Sequence, residues 1–347
     1  MLPVRRAEAE VRLANALDAW LRCCKGSGIV QSTIVSYARI AGDFYNFVLD
    51  AGLYYTDPGF TTIQAYRTSM IDRDFAENTI HHHLTVLRMF FTWASSPDLG
   101  DTRYYDTNPV STRFLPKASS KAKRRPYDLL LTDTQIMQLW RNNPIKTTHP
   151  ELWPRNYAIV VMLLTTELRN AELRNLALAD LDFENGVLYV EHGKGDKFRT
   201  VDFPEIAQLA VRQYLESGIR PESAPPSAPL FGTMAKKKRG AGTADTGKWH
   251  AGSDEWLSAL VERHVYAITG VQNIRTHDLR HVGARVDLNA GMPIEELQSK
   301  LGHSSVVTTQ IYSGRVMPRM SRKSAEKVCA ERDLQAQRLL EQLGAAV

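Results

Sequence analysis

The sequence predicts a mainly α-helical protein in two domains: a helical bundle, then a mixed α+β domain with a small β-hairpin sheet. Apolar residues recur at helical spacing through residues 6–95, and a Pro-, Gly-, Ser- and Lys-rich stretch follows at 97–126. Further on, apolar and polar residues alternate around a Gly-rich turn at 187–203, which is a β-hairpin signal. The 347 residues are enough for two hydrophobic cores.

The first domain, residues 1–115, is expected to be a compact bundle. In its second helix, Ile34, Tyr37, Ile40 and Phe44 follow one another at intervals of three or four, which places them on one helical face. The predicted helices lie around Leu13–Leu21, Thr33–Leu49, Ile63–Ile71 and Asn78–Ala94.

Residues 116–128 form the expected linker, which is strongly basic. The runs PKASSKAKRRP (116–126) and KKKRG (236–240) concentrate the positive charge of a chain whose formal net charge is +5. Basic loops beside folded segments suit a polyanion, most often a nucleic acid, although loops that only aid solubility remain an alternative. The candidate nucleic-acid contacts are Lys117, Lys121, Lys123, Arg124 and Arg125.

The second domain, residues 129–347, is expected to be mostly helical. It opens on a capping-box pattern at Thr132–Gln135, and the apolar stretch at 153–165 predicts a buried helix. Residues 221–253 are too rich in Pro and Gly for a regular element, so an irregular excursion is expected there. The other predicted helices cover about 170–178, 204–217, 254–269, 277–289, 294–301, 305–312 and 322–342.

Cysteine content and hydropathy favour a cytoplasmic protein with no membrane partner. Cys23, Cys24 and Cys329 give no disulfide framework, which is typical of a reducing compartment. The charged N-terminal segment contains no apolar signal-peptide region. No stretch approaches the roughly 20 apolar residues that cross a bilayer.

Four motifs in the second domain carry the chemistry. They are TTELRNAEL (165–173), GKGDK (193–197), THDLRH (276–281) and LGHSSVVTTQIYS (301–313). A single tyrosine downstream of several cationic side chains, without a carboxylate cluster for a metal, suits attack on a phosphodiester by a protein hydroxyl. The candidate catalytic residues are Arg169, Lys194, His277, Arg280, His303 and Tyr312.

Two arginines from separate elements are suited to one phosphate, because each planar guanidinium stays protonated and binds two oxygens. Arg169 falls at a predicted break between helices, where its side chain can leave the core. His277 and Arg280 are three residues apart on one predicted helix and therefore share a face. Thr276 is expected to cap that helix, whose dipole would attract an anion.

The words LRNAEL, HDLRH and LGHSSVVTTQIYS, in this order, resemble those of the tyrosine recombinase, or phage integrase, family, which includes lambda integrase, Xer and Cre. The resemblance covers essentially the whole chain, but it is specific only in the second domain. It implies a core-binding domain followed by a catalytic domain. It also implies site-specific DNA recombination, of bacterial or mobile-element origin, through a 3′-phosphotyrosyl intermediate and a Holliday junction.

The resemblance also implies roles for the candidate residues. Tyr312 would be the nucleophile, and Lys194 would protonate the departing 5′ oxygen. Since the phosphotyrosine retains the bond energy, neither ATP, a metal nor another cofactor would be needed.

The cationic residues would surround the phosphate. By the same resemblance, Arg169, Arg280 and His303 would bind its non-bridging oxygens. His277 would be a hydrogen-bond partner or base, and Glu172 would be an acidic buttress that orients cations.

The implied partner is double-stranded DNA with inverted half-sites, bound by a homotetramer, with an accessory DNA-bending or directionality protein as an option. The C-terminal segment, about 321–343, would be donated to a neighbouring protomer. Its predicted apolar side consists of Val328, Leu334, Leu339 and Leu343. A helix that packs within its own chain is the alternative.

Some residues depart from the family pattern. Glu167 stands where the family often has Gly, and it is expected either to tighten the arginine geometry or to oppose phosphate charge. Val282 and Arg285 replace small or hydroxyl residues. A type IB topoisomerase-like enzyme and a non-catalytic DNA-binding regulator remain alternative functions.

The histidine run on the fourth helix, His81, His82 and His83, is interpreted as facing DNA or solvent. Consecutive helical positions point in different directions, whereas zinc needs convergent ligands. No metal site is predicted.

Overall fold

The computed structural model describes residues 2–53, 58–110, 130–141, 149–190, 198–234, 248–302 and 320–344. The chain divides into two compact units, Met1–Arg124 and Arg125–Val347. The prediction of a mainly helical fold with a small antiparallel sheet is confirmed.

In the part of the first unit that the structure describes, four α-helices surround an aromatic core. Phe44 and Tyr66 meet edge to face at 5.2 Å between ring centres, and Phe44 meets Phe91 in the same way at 6.0 Å. This geometry is favourable because the positive edge of one ring meets the negative face of the next. The helices are α1 (Leu2–Gly26), α2 (Gln31–Asp50), α3 (Phe60–Asp72) and α4 (Glu77–Ala94), and a 3₁₀ turn follows at Pro97–Thr102.

The interpretation of the histidine run is wrong for His83, which is buried in this core. The Tyr66 hydroxyl lies 2.9 Å from the Nδ1 atom of His83 and 3.0 Å from a carboxylate oxygen of Asp43. Burial lowers the pKa of His83. Its neighbour His82 is exposed, because the next helical position points in another direction.

The second unit is arranged around a mostly buried helix, α6 (Trp153–Thr166), whose residues 157–164 are all apolar or aromatic and buried. A helix segment that is apolar all round is expected at the centre of a domain. The other helices are α5 (Asp133–Trp140), α7 (Asn170–Asn175), α8 (Glu205–Glu216), α9 (Asp254–Thr269), α10 (Thr276–Ala290), α11 (Ile294–Leu301) and α12 (Arg322–Gly344). The predicted capping box at Thr132 and Gln135 is present at the start of α5.

The predicted hairpin lies in a three-stranded antiparallel sheet of β1 (Leu181–Asp182), β2 (Val187–Val190) and β3 (Arg199–Asp202). Leu188 pairs with Val201, and both side chains are buried. The turn between β2 and β3, residues 191–197, lies outside the described residues.

The expectation of an irregular excursion at 221–253 holds for residues 221–231 but is wrong at two places in its described part, where two short antiparallel strands pair. These are β4 (Gly232–Met234) and β5 (Trp249–Ala251). A side chain at Gly232 would place a Cβ 2.4 Å from the carbonyl oxygen of His250, so this ladder needs glycine there.

The Pro-rich stretch before β4 is ordered by one buried guanidinium. Arg220 donates to the carbonyl oxygens of Ala224 at 3.0 Å and Pro225 at 2.7 Å. The indole nitrogen of Trp249 donates to the carbonyl oxygen of Pro229 at 2.8 Å, which ties β5 to the same stretch. The contact of Trp249 joins residues 20 positions apart, which no local sequence pattern indicates.

Helix α12 packs against α5, α8 and α10 of its own unit. Val328 and Leu339 are buried as predicted, but Leu334 is 42% exposed and so does not belong to the buried side. Arg141 also donates to Glu331 at 2.9 Å. Exchange of this helix between protomers stays a prediction. Among the described residues, no helix has both the length and the apolar character that a membrane span requires.

Candidate active site

Arg169 lies at the break between two helices, where it precedes the first residue of α7 with an extended backbone. Its side chain is 27% exposed. One guanidinium nitrogen donates to a carboxylate oxygen of Glu172 at 2.7 Å, and the other donates to the carbonyl oxygen of Gly302 at 2.9 Å. The predicted helix break at Arg169 is therefore confirmed, and the side chain points to the end of α11.

Glu172 joins two arginines, because its carboxylate accepts from Arg169 and, through both oxygens, from Arg199 at 2.9 Å. The backbone N–H of Arg169 donates to it as well, at 2.7 Å. Burial alone would raise the pKa of Glu172, but the hydrogen bonds from Arg199 and from the Arg169 backbone lower it to about 2. The side chain is therefore an anion that fixes two guanidinium groups.

Arg199 is part of this network, and the sequence interpretation missed it. Its Nε donates to the carbonyl oxygen of Lys300 at 3.3 Å. A Cβ at Gly302 would lie 3.2 Å from its guanidinium, and Gly302 has a φ of +59°, so glycine serves both the turn and the close approach. Strand alternation offered a signal, since Arg199 shares its face with the buried Val201, and a buried charge needs a partner.

Arg280, the second predicted phosphate-binding arginine, is 1% exposed on α10. One of its guanidinium nitrogens donates to the carbonyl oxygen of Glu167, and the other donates to that of Leu301 at 2.6 Å. Arg169 and Arg280 therefore bind consecutive carbonyl groups, those of Gly302 and Leu301. We call this pair of arginines the arginine clamp, and it lies next to the chain position of His303.

His277 is exposed in the first turn of α10. Its ring lies 4.3 Å from that of His281, nearly perpendicular to it. The expectation that Thr276 caps this helix is wrong. The cap residue is Arg275, whose backbone N–H donates to the Asp278 carboxylate at 2.8 Å.

Thr276 instead takes part in a hydrogen bond between α7 and α10, two helices of the site. Its hydroxyl oxygen lies 3.2 Å from the side-chain amide nitrogen of Asn170, which donates to it. This bond joins α10, which carries Arg280, to α7, which follows Arg169.

Glu167 has a left-handed backbone at the end of α6, with a φ of +52°, and its side chain is fully buried. Lys300 donates to its carboxylate at 3.0 Å and also to the carboxylate of Asp287. Burial, together with Asp287, raises the pKa of Glu167 well above its usual value, although Lys300 opposes this. Burial would lower the pKa of Lys300, but the two carboxylates raise it.

These contacts favour the first of the two expectations for Glu167, which is tighter arginine geometry. Its backbone carbonyl contacts Arg280, while its carboxylate binds Lys300. Arg285 also has a visible contact, since it donates to the carbonyl oxygen of Leu131 at 3.0 Å.

The other predicted site residues lie outside the described residues: Lys194, His303, Tyr312, Lys117, Lys121, Lys123, Arg124 and Arg125. Their placement and roles stay predictions. Within the described ranges, no group of three or more His, Cys, Asp or Glu side chains is arranged to hold a metal ion.

Residues 131–317 match the family model of the phage integrase family. This is more than half of the chain, and the chain therefore belongs to that family of tyrosine-type site-specific recombinases. Membership favours recombination over the topoisomerase-like and regulatory alternatives.

Two curated relatives show the extent of the sequence similarity. The tyrosine recombinase XerC of Oceanobacillus iheyensis is 28% identical over 282 residues, which are 81% of this chain and 85% of the relative. XerC of Bifidobacterium longum is 38% identical over 159 residues, covering 46% of this chain and 43% of that protein.

Two solved structures share the fold. The XerH site-specific recombinase bound to palindromic difH substrate, in a post-cleavage complex, gives a TM-score of 0.64 at 18% identity, covering 86% of this chain and 80% of that one. A lambda integrase dimer bound to a COC′ core site gives 0.59 at 18% identity, covering 85% and 96%.

Proposed function

We propose that this recombinase cleaves and rejoins DNA through a 3′-phosphotyrosyl intermediate on Tyr312, and that two such exchanges proceed through a Holliday junction. The observation that carries the proposal is the arginine clamp. Arg169 and Arg280 come from separate elements and meet at the carbonyl groups of Leu301 and Gly302. The motif tyrosine follows this point in the chain.

The electrostatics of the clamp suit a phosphodiester in the transition state. This group of four side chains contains three guanidinium groups, those of Arg169, Arg199 and Arg280, and one carboxylate, that of Glu172. Its net charge is therefore positive. Fixed guanidinium groups stabilise the charge that builds on non-bridging oxygens, and they do so best where water is excluded. Glu172 contributes by fixing the geometry, since it holds Arg169 and Arg199 together.

The proposed chemistry balances without an external energy source. The Tyr312 oxygen attacks the phosphorus, a P–O bond to Tyr312 forms, and the bond to the 5′ oxygen breaks. His277 takes the proton of the Tyr312 hydroxyl as a base, and Lys194 gives the departing 5′ oxygen its proton, while His303 binds a non-bridging oxygen of the phosphate. Attack by a 5′-hydroxyl of the partner strand reverses the step and releases Tyr312.

We infer that the partner is double-stranded DNA. In support, the XerH structure is bound to palindromic difH substrate and the lambda integrase dimer to a COC′ core site. Lys117, Lys121, Lys123, Arg124 and Arg125 would meet backbone phosphates, which position a duplex without specifying its sequence. Paired inverted half-sites, a homotetramer joined through α12 and an accessory protein complete the proposal.

A nicked duplex tests the proposal, because cleavage near the nick releases a short fragment and traps the covalent intermediate. The substrate is built from the DNA that flanks the gene, and the reaction contains EDTA and no ATP. We expect a denaturation-resistant protein–DNA adduct with the wild type and none with Tyr312→Phe. An adduct of equal yield with Tyr312→Phe would contradict the proposal, as would specific binding of the wild type with no adduct.

A further inference from the structure

Three ionisable groups lie beside the arginine clamp and have no part in the proposed chemistry. They are the buried Glu167 at the end of α6, the half-buried Asp287 on α10 and the buried Lys300 on α11, and we call them the buried ion cluster. Lys300 donates to both carboxylates. The cluster therefore joins the three segments that contain the TTELR, HDLRH and LGH motifs.

The conformation and burial of Glu167 are energetically unfavourable, so other contacts must offset their free energy. A φ of +52° is strained for a residue with a Cβ, and the Glu167 side chain is fully buried. Among the described residues, its second carboxylate oxygen has no hydrogen-bond partner. A buried carboxyl group in a strained turn persists only if its contacts stabilise the surrounding structure.

The opposite helix is shaped to receive this side chain. A Cβ at Gly283 would lie 2.3 Å from the carbonyl oxygen of Leu164 and 3.1 Å from Cγ of Glu167. The absence of a side chain at Gly283 lets α10 approach the end of α6 and leaves room for the glutamate.

The backbone of the cluster residues also holds the arginines. The carbonyl oxygen of Glu167 accepts from Arg280, and that of Lys300 accepts from Arg199. The next residue, Leu301, offers its carbonyl oxygen to Arg280. Arg280 thus bridges the ends of α6 and α11. The side chains of Glu167 and Lys300 join the same two helix ends.

We propose that Glu167 is a positioning residue: its contact with Lys300, which also binds Asp287, fixes the ends of α6 and α11 relative to each other and thereby holds Arg280 in place to bind the scissile phosphate. The proposal rests on the proposed function of Arg280. It assigns a use to the glutamate that replaces the glycine expected at this position. The role is exerted through Arg280, and the Glu167 carboxylate does not touch the DNA.

The test is the single-turnover cleavage rate of the full chain on nicked DNA at saturating enzyme, with the DNA dissociation constant and the thermal midpoint measured in parallel. Glu167→Gln keeps the size of the side chain and replaces its carboxyl group with an amide, which never carries a charge. Glu167→Gly relaxes the left-handed backbone but removes the contact with Lys300. Glu331→Gln is the matched control. Glu331 lies on α12, and its ion pair with Arg141, which follows α5, involves neither arginine of the clamp.

We expect both Glu167 variants to cleave about 10- to 100-fold more slowly with little change in DNA affinity, since small misplacements of a catalytic group have effects of this order. Glu331→Gln should cleave at the wild-type rate. A role in stability alone predicts that Glu167→Gly, which is free of backbone strain, cleaves faster than Glu167→Gln. Wild-type rates in both Glu167 variants would also overturn the proposal.

A neutral methylphosphonate at the scissile position distinguishes positioning from general damage. This group has one charge fewer, so cleavage depends less on the arginines. We expect the rate loss in Glu167→Gln to shrink on this substrate, as the loss in Arg280→Ala does. An undiminished loss in Glu167→Gln beside a diminished one in Arg280→Ala would overturn the inference alone. If Arg280→Ala cleaves ordinary DNA at the wild-type rate, the proposed function fails and the inference fails with it.

Discussion

The two halves of the arginine clamp are held by different forces. Arg169, on the side of α7 and β3, is partly exposed and paired to an ionised carboxylate that it shares with Arg199. Arg280, on the side of α6, α10 and α11, is almost completely buried, and its described hydrogen bonds go to two backbone carbonyl groups. The first half therefore depends on a charge and the second on the position of the main chain.

This difference teaches where each half is vulnerable. Protonation or removal of Glu172 would release the guanidinium groups of Arg169 and Arg199. Arg280 would instead respond to changes that shift the ends of α6 and α11. The buried ion cluster lies on the Arg280 side, where backbone position matters most.

The largest effect on the Arg169 half is expected from Glu172→Gln. The pKa of Glu172 is about 2 in the folded chain against a usual 4.5, so its contribution is present above pH 4.5 and is lost as the pH falls towards 2. That shift corresponds to about 3 kcal/mol of folding free energy at neutral pH. In urea unfolding at pH 7, the free energy of unfolding of the wild type should exceed that of Glu172→Gln by an amount of this order. The difference should disappear near pH 2.

The same variant should slow cleavage, because a neutral amide cannot hold two guanidinium groups in one geometry. A decrease of about 10-fold or more in the single-turnover rate is expected. An equal advantage of the wild type at pH 7 and near pH 2 would show that Glu172 acts through packing and not through its charge.

An intermediate effect is expected at the junction of the two halves, from Gly302→Ala. The new Cβ meets a left-handed backbone and lies 3.2 Å from the Arg199 guanidinium. The left-handed conformation alone should lower the free energy of unfolding by about 1–2 kcal/mol. Gly218→Ala is the matched control, since Gly218 has a φ of +71° and nothing within 4 Å of its Cβ position.

Both alanine variants should lose similar stability in a thermal melt, but only Gly302→Ala should slow cleavage. The comparison isolates the contact with Arg199 from the strain of the turn. Equal cleavage rates in the two variants would mean that Arg199 does not depend on Gly302.

The smallest effect is expected in the first unit, from Tyr66→Phe. This change removes the hydroxyl that lies between Asp43 and His83, and it should cost about 1 kcal/mol of folding free energy. Tyr37→Phe is the control, since the Tyr37 hydroxyl has only a 3.8 Å contact with the sulfur of Met89. Cleavage at saturating enzyme should be unchanged in both, and a slower rate in Tyr66→Phe would link this core to catalysis.

Sequence reasoning predicted what depends on local patterns. The helical spacing around Phe44 and the apolar run in α6 located the helices, and the motif words selected Arg169 and Arg280. The structure brings these two arginines together, while their catalytic roles stay predictions.

Contacts between distant segments could not be predicted in this way. Glu167 and Lys300 are 133 positions apart, and neither motif word indicates that they meet. Arg199 was missed for the same reason, although its inward position on β3 was a usable signal. His83 was assigned wrongly because the helical pattern gives the face of a residue but not its polar partner.

The central claim is that Arg280 is fixed in the second half of the clamp to neutralise the scissile phosphate, and the most direct measurement is the rate of covalent adduct formation by Arg280→Ala on the nicked duplex. We predict a rate about 100- to 1,000-fold below that of the wild type, as for the loss of one fixed donor to a developing anion, with specific DNA binding retained. Adduct formation at the wild-type rate by a folded Arg280→Ala variant would contradict the account.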